Sequence, residues 1–268
     1  MPFEPPAALF DDGLAIHGDS SDARILSLAR TFAGDAFPLV IADPPYGNVL
    51  SRSRAAWDRT TATQHTFATS TLSTLRLLQR YLAPGAALYL WGGYGTLGFR
   101  PFFEVASRVE HETPLRIANV ITWSKRRAYG VPRNYLSTRE ELLYLVNGDP
   151  KHPRKFAIPL LEAKRAYAGF NAKYPAKSEH YRRTNVWTDV TELFAGKVHE
   201  AQKPLRVYEV PIEVHTEPGE CVLDPYAGSM TLAHAARRLG RRWVCIESDR
   251  AIFDAAVAEL RTGAPRKR

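Results

Sequence analysis

Asp43, Pro44, Pro45 and Tyr46 follow directly on the apolar run FPLVIA. Prolines lack a backbone donor and fix φ, so a Pro-Pro pair neither extends a central strand nor enters a helix interior. The chain must turn here, and the turn is stiff. It presents a carboxylate, a backbone carbonyl and an aromatic ring at a strand end, the place where open α/β sheets bind ligands. The plainer readings are that Asp43 caps a turn and that Tyr46 packs in the core.

A second stretch, VLDPYAGSMTLAHAARRLGRRWVCIESD (222–249), has a different character. A strand ends at Asp224, a small-residue turn (Ala227-Gly228-Ser229) opens a helix, and the next strand ends in Glu247. This is the layout of a nucleoside-binding unit. Small residues let the backbone approach the ligand, and the acid accepts hydrogen bonds from ribose hydroxyls. Asp224 and Glu247 are 23 positions apart, near the roughly 20 expected of such a unit. A glycine turn alone serves only geometry in many strand-to-helix turns.

The elements that must hold these two loops are legible from periodicity. LAIHGDS reads as a strand and turn, DARILSLARTF as a helix and FPLVIA as a buried strand. STLSTLRLLQRYL reads as a helix closed by Pro84-Gly85, AALYLWGG as a strand, FFEVASRV as a helix and IANVITW as a strand. From Ser124 to about His199 the chain is rich in Arg, Lys, Tyr and Pro, and only ELLYLVN (141–147) reads as a strand. Alternation then returns. LRVYEVPIEVH is a helix kinked at Pro211, CVLDPY a strand, TLAHAARRLG a helix ended by Gly240, RWVCIESD a strand and AIFDAAVAELR a last helix. Strands separated by helices imply a parallel sheet covered on both faces. One α/β domain is therefore expected from 14–123 and 200–263, with a basic segment, 124–199, inserted between its halves.

Charge sets that segment apart. Residues 125–183 hold 14 Lys and Arg against 5 Asp and Glu, so the whole excess of positive charge lies there. A localised basic patch suggests a polyanion, most often nucleic acid, although a solvated basic face is the bland alternative. No run of about 18 apolar residues suggests a membrane span. The start, MPFEPPAALFDDG, does not read as a signal peptide. Two cysteines, Cys221 and Cys245, form neither a disulfide framework nor a four-ligand zinc site. A reducing cytoplasm is the expected compartment.

Taken in order, ADPPYG, EAQKP, VLDPYAGS and CIESD resemble the β class of amino-group DNA methyltransferases, from Leu14 to Ala258. IHGDS, TWSK and RRTNVW match more loosely. The resemblance implies a Rossmann-like methyltransferase sheet with helices on both faces, a circularly permuted motif order and an inserted target-recognition segment. It implies S-adenosylmethionine as cofactor, double-stranded DNA as substrate and no metal. Two departures stand out. Met230 replaces a glycine of the Gly-Ser-Gly-Thr pattern, which is expected to narrow the cofactor pocket. His199-Glu200-Ala201-Gln202-Lys203-Pro204 stands where His-Pro-Thr-Gln-Lys-Pro is usual.

By that resemblance, the Asp43 carboxylate and the Pro44 carbonyl hold the two N–H bonds of an exocyclic amine, and Pro45 stiffens the pair. The nitrogen lone pair then faces the sulfonium methyl, and Asp43 stabilises the charge that develops. The base must be flipped out of the duplex, and Tyr46 offers it a ring to stack on. Asp224, Pro225, Tyr226, Ala227, Gly228 and Ser229 line the cofactor, and Glu247 holds its ribose. Asp19 meets its adenine amine and Lys203 its carboxylate; a helix cap and a surface charge are the alternatives. The polar stretch GNVLSRSRAAWDRTTATQ is either a loop that closes over the base or a plain connection.

Lys125, Arg126, Arg127, Arg133, Arg154, Lys155, Arg182 and Arg183 are the DNA-contact candidates, with Tyr129, Tyr135, Tyr167 and Tyr181 interleaved to stack or wedge. Asp at the head of the tetrapeptide implies adenine N6 as the target, with cytosine N4 as the alternative. An RNA or protein-amide methyltransferase and a DNA-binding module without catalysis are the more distant readings. A second copy of the chain and a cognate restriction endonuclease are partners that the resemblance suggests and the residues leave open.

Overall fold

The computed structural model describes residues 5–45, 64–92, 95–129, 133, 135–164, 180–191 and 202–263. Tyr46, Tyr167 and the polar stretch after Tyr46 up to residue 63 lie outside the described residues.

In chain order the strands are β1 (Ala7–Leu9), β2 (Gly13–His17), β3 (Phe37–Ala42), β4 (Leu82–Gly92), β5 (Leu115–Tyr129), β6 (Ser137–Asn147), β7 (Leu160–Lys164), β8 (His180–Arg182), β9 (Val186–Trp187), β10 (Cys221–Asp224) and β11 (Arg242–Glu247). The helices are α1 (Ala23–Ala33), α2 (Gln64–Leu78), α3 (Gly95–Glu112), α4 (Arg206–His215), α5 (Thr231–Arg238) and α6 (Arg250–Arg261). Local chemistry sets several of their ends. Asp22 caps α1 by accepting from the Arg24 N–H, and Gly34 ends it at φ 77°, a conformation that suits glycine. Asp249 caps α6 by accepting from the Ala251 and Ile252 N–H groups. α4 runs through Pro211 without a break in its assignment.

Among the described residues, nine strands form one sheet in the order β1-β2-β11-β10-β3-β4-β6-β5-β9, while β7 and β8 pair as a separate ribbon. β2, β11, β10, β3 and β4 are parallel. The all-parallel expectation fails on the far side, where β6 runs antiparallel to both β4 and β5. The reason is the connection. Only a few residues separate β5 from β6, and a short link can join antiparallel neighbours but not make a parallel crossover. Ser124, where the basic segment begins, falls inside β5, and β6 is the strand next to β4.

Period-two alternation splits the core into two layers. Leu39, Ile41, Tyr89, Trp91, Leu142 and Tyr144 point to the face covered by α4, α5 and α6. Phe37, Val40, Leu88, Leu90, Leu143 and Leu145 point to the face covered by α1, α2 and α3. All six residues of β3 are buried, which marks it as the middle of the sheet. Burying each such Leu or Phe contributes about 1.5–3 kcal/mol, so this layer anchors the strand ends that carry the polar groups.

The chain leaves β10 towards β11 on one side of the sheet and leaves β3 towards β4 on the other. β10 and β3 are parallel neighbours, with Val222 opposite Leu39 and Leu223 opposite Val40. The crevice between their carboxyl ends is the topological switch point, where sheets of this type bind ligands. Asp43 and Asp224 meet there.

Candidate active site

The polar groups at this end of the sheet share one phase. Along β3, Leu39 and Ile41 face the α4–α6 layer, and Asp43 comes two residues later. Val222 on β10 and Trp243 and Cys245 on β11 face the same layer, in phase with Asp224 and Glu247. Trp91 on β4, Trp123 on β5 and Leu142 on β6 belong to it as well, in phase with Lys125 and Glu140. A row of acidic, basic and aromatic side chains therefore crosses the strand ends: Glu247, Asp224, Asp43, Trp91, Glu140, Trp123 and Lys125.

Lys203 ties the row together from above, on the segment leading into α4. Its Nζ donates to Asp43 Oδ2 and lies 3.4 Å from Glu140 Oε2. It also sits over the Trp91 ring, 4.6 Å from the centroid. Lys125 Nζ donates to Glu140 Oε1 and lies 5.1 Å from the Trp123 centroid. Trp91 and Trp123 meet edge to face at 5.9 Å. The result is a buried chain of alternating charge, Asp43–Lys203–Glu140–Lys125. Burial opposes the charge on Lys203, but the Asp43 and Glu140 carboxylates overcome it and hold its pKa above the usual lysine value. Burial likewise works against the Glu140 charge, and Lys203 and Lys125 nevertheless keep its pKa below the ordinary glutamate value. Lys203 is thus no surface charge, and among the described residues its ammonium serves the carboxylates of the site.

The turn after β10 is tight. Tyr226 N–H donates to Asp224 Oδ1 at 3.0 Å, Ala227 N–H to the Ile246 carbonyl at 2.9 Å, and Met230 N–H to the Ala227 carbonyl at 2.7 Å. Gly228 adopts φ 49°, and its Cα faces open space where a side chain would project. Glu247 accepts from Gly228 N–H and Asp249 N–H, both at 2.7 Å, so it braces the turn from the neighbouring strand. Pro225 and Ser229 are buried in the turn. The Met230 expectation needs correction. Its side chain is fully buried in the core rather than narrowing an opening, and its backbone takes the left-handed conformation at φ 56° that glycine adopts at no cost.

Asp224 is the unusual group. It is fully buried, and its Oδ2 has no hydrogen-bond partner among the described residues. Burial, reinforced by the Asp43 and Glu247 charges, pushes its pKa well above the carboxylate range. A buried acceptor without a donor costs stability, and it is the kind of group a ligand N–H or ammonium satisfies. Asp19, also assigned to the cofactor by resemblance, is exposed and accepts from Ser21 N–H at 2.8 Å. It is not the cap of α1, which is Asp22.

A family model described as DNA methylase, N6_N4_Mtase, matches residues 37–258. This chain belongs to that DNA methylase family. It is similar to the type II methyltransferase M2.LlaDCHI of Lactococcus lactis subsp. cremoris, 26% identical over 95% of this chain and 91% of that protein. It is also similar to the type II methyltransferase M2.DpnII of Streptococcus pneumoniae, 28% identical over 81% and 79% of the two chains. Among solved structures, it superposes on the cytosine-N4-specific PvuII DNA methyltransferase with a TM-score of 0.66. There the identity is 19%, over 92% of this chain and 85% of that one. The M1.HpyAVI–SAM complex gives 0.58 at 21% identity, over 92% and 98%. At these identities the superpositions establish the fold, a Rossmann-like methyltransferase sheet.

Among the described residues, the basic candidates of this DNA methylase do not share one surface. Lys125 is turned inward to Glu140, with only 11% of its side chain exposed. Arg183 is 3% exposed, bound to Asp189, and lies over Trp187. Arg154 pairs with Glu220, and Lys155 with Glu217 and the Thr216 carbonyl. Arg154 also meets Gly85 at the start of β4, and Glu217 and Glu220 precede β10. Arg154 and Lys155 therefore lie at the end of the sheet away from Asp43. Arg126, Arg133 and Arg182 are exposed, as are Tyr135 and Tyr181. Arg127 and Tyr129 are placed by their backbone on β5.

The sequence reading missed Glu140, Trp91 and Trp123. A signal was present. Extending the alternation of ELLYLVN back by one residue puts Glu140 in phase with Leu142 and Tyr144. Lys125 is likewise in phase with Ile121 and Trp123.

Proposed function

We propose that this DNA methylase moves a methyl group from S-adenosylmethionine to the N6 amine of an adenine flipped out of duplex DNA. The observation that carries the reading is the position of Asp43. It stands on a Pro-Pro turn at the switch point, next to a glycine turn whose buried Asp224 oxygen lacks a donor. These residues fit the cofactor. Gly228 gives open approach, Asp224 Oδ2 would accept from the amino-acid ammonium, and Glu247 would accept from ribose hydroxyls while still bracing the turn. Bound there, the cofactor supplies an electrophilic methyl on a sulfonium centre.

The rest is done by the chain itself. An exocyclic amine is a poor nucleophile because its lone pair is delocalised into the ring. Asp43 and the Pro44 carbonyl accept its two N–H bonds and favour a tetrahedral nitrogen whose lone pair is free to react. Asp43 then stabilises the positive charge on nitrogen at the moment it forms. Lys203 orients that carboxylate from Oδ2. A carboxylate has about four lone-pair sites, so one ammonium does not exhaust it. The Pro-Pro geometry holds both acceptors before the base arrives.

We assign DNA contact to the segment 124–199, chiefly to Arg126, Arg133 and Arg182 on its exposed parts, with double-stranded DNA as the substrate and the cytoplasm as the compartment. The PvuII enzyme, cytosine-N4-specific on the same fold, is the observation that favours cytosine N4 as the second reading. Asp at position 43 tips the choice to adenine by family resemblance. Digestion of methylated duplex DNA to nucleosides, followed by mass spectrometry, tests it. N6-methyladenine is expected. N4-methylcytosine alone would overturn the base assignment, and no methylation of any duplex would overturn the reaction.

A further inference from the structure

Glu140 stands outside the reading just given, yet it shares a cation with the Asp43 carboxylate. It opens the buried phase of β6, and its side chain is 9% exposed. One oxygen is held by Lys125, while the other, Oε2, makes no hydrogen bond among the described residues and faces Lys203 Nζ at 3.4 Å. Burying a carboxylate is costly unless it is paired. Lys125 alone would provide the pairing. The approach to Lys203 adds something that packing does not require, because Lys203 is the residue that holds Asp43.

We infer that Glu140 is a positioning residue for methyl transfer: anchored by Lys125, it holds the Lys203 ammonium between two carboxylates and so keeps Asp43 oriented and open to the target amine. The inference rests on the proposed role of Asp43. An ammonium has three donors in a compact head. With Glu140 charged, Lys203 is drawn from both sides and stays over Trp91. With Glu140 neutral, Lys203 turns wholly to Asp43, and the tighter pair withdraws the acceptor that the amine needs. Lys125 then no longer faces the Glu140 charge, and its own charge pushes Lys203 further in the same direction. Removing Lys125 together with Glu140 cancels that push.

The test compares wild type, Glu140→Gln, Lys125→Met/Glu140→Gln and Asp43→Ala for kcat and KM on duplex DNA, with cofactor affinity by calorimetry and folding by circular dichroism. Glu140→Gln should lower kcat at least tenfold, with cofactor Kd and the KM for DNA within threefold of wild type. Adding Lys125→Met should recover threefold or more of the lost kcat and still leave it below wild type. A kcat for Glu140→Gln within threefold of wild type overturns the inference. So does a parallel loss of kcat and cofactor affinity that the second substitution does not relieve, the pattern of a merely structural residue. Should the single variant not fold, the double variant decides, and a wild-type kcat there overturns the inference. Wild-type protein without methyl transfer, or Asp43→Ala with full transfer, would instead overturn the proposed function, so the two failures are distinguishable.

Discussion

Replacing Lys203 by Met should cost both stability and rate, and the stability loss should depend on pH in a defined direction. Methionine keeps most of the apolar stem but removes the ammonium that faces Asp43 and Glu140 and lies over the Trp91 ring. Breaking a buried ion pair by deleting one partner typically costs about 3–5 kcal/mol. Two features reduce this. Glu140 keeps Lys125, and the Asp43 side chain retains 18% exposure, so water relieves part of its charge. About 2–3 kcal/mol is therefore expected near pH 7, or roughly 4–12 °C in Tm at about 2–4 °C per kcal/mol for a domain of this size.

The sign with pH follows from two shifts. Glu140 has a lowered pKa, so its contribution is present above the ordinary value of 4.5 and is lost as pH falls through the folded value. Lys203 has a raised pKa, so its contribution is present below the ordinary value of 10.5 and is lost as pH rises through the folded value. The Tm gap between wild type and variant should be widest between these limits and close on either side. Thermal unfolding by circular dichroism across that range measures it, and kcat at pH 7.5 should fall at least tenfold in parallel. A gap that is absent at neutral pH, or constant across the range, would refute the charge-chain argument.

Asp43→Ala should lower methyl transfer by about 10²–10³, the usual cost of losing one preorganised electrostatic partner, while calorimetry shows cofactor affinity changed less than threefold. Methylation within tenfold of wild type would be incompatible with its role. DNA binding should weaken steeply with salt, and Arg126→Ala, Arg133→Ala and Arg182→Ala combined should reduce the slope of log K against log salt by about 2–3. Arg154→Ala with Lys155→Ala, at the far end of the sheet, should leave that slope unchanged; fluorescence anisotropy at several salt concentrations separates the two cases. Met230→Gly should relieve about 1–2 kcal/mol of left-handed strain but lose a fully buried side chain worth about 2–5 kcal/mol, so it destabilises by about 0–4 kcal/mol, centred near 2. Cofactor affinity should stay within threefold, and a large loss would place Met230 in the pocket wall.

The legible parts of this sequence were those whose chemistry is local. A Pro-Pro turn after an apolar hexapeptide locates Asp43 without any knowledge of the fold, and the small residues 227–229 followed by Glu247 locate the other loop. The boundaries of α1, β3 and α6 follow from caps and alternation over a few residues. The basic segment was harder for two physical reasons. Its charged residues hide a strand, since β5 continues to Tyr129 under Lys125 and Arg126. Composition also cannot say whether a cation meets solvent or a carboxylate. Lys125, Arg154 and Lys155 have partners far away in sequence, and only the pairing of β5 with β6 and the packing of residues 152–156 against the start of β4 and β10 decide it.

The same pairing explains why the site takes the form it does. On the proposed reading, the Asp43 carboxylate accepts from the target amine beside Asp224 and Glu247, two further acids at the same end of the sheet. A lone lysine would neutralise Asp43 but also compete with the substrate for its oxygens. Placing Lys203 between two carboxylates, and a second lysine behind the outer one, supplies positive potential without surrendering the acceptor. That solution needs an acid and a base in phase on neighbouring antiparallel strands at the same sheet end. The departure from an all-parallel sheet provides it. Because β6 runs opposite to β4, its first residues, and not its last, stand beside Trp91 and Gly92, so Glu140 reaches the crevice from the start of its strand. β5, antiparallel to β6, brings Lys125 to the same end with Ser124 opposite Arg139. A parallel β6 would have put Asn147 there instead and taken the Glu140 carboxylate away from Lys203.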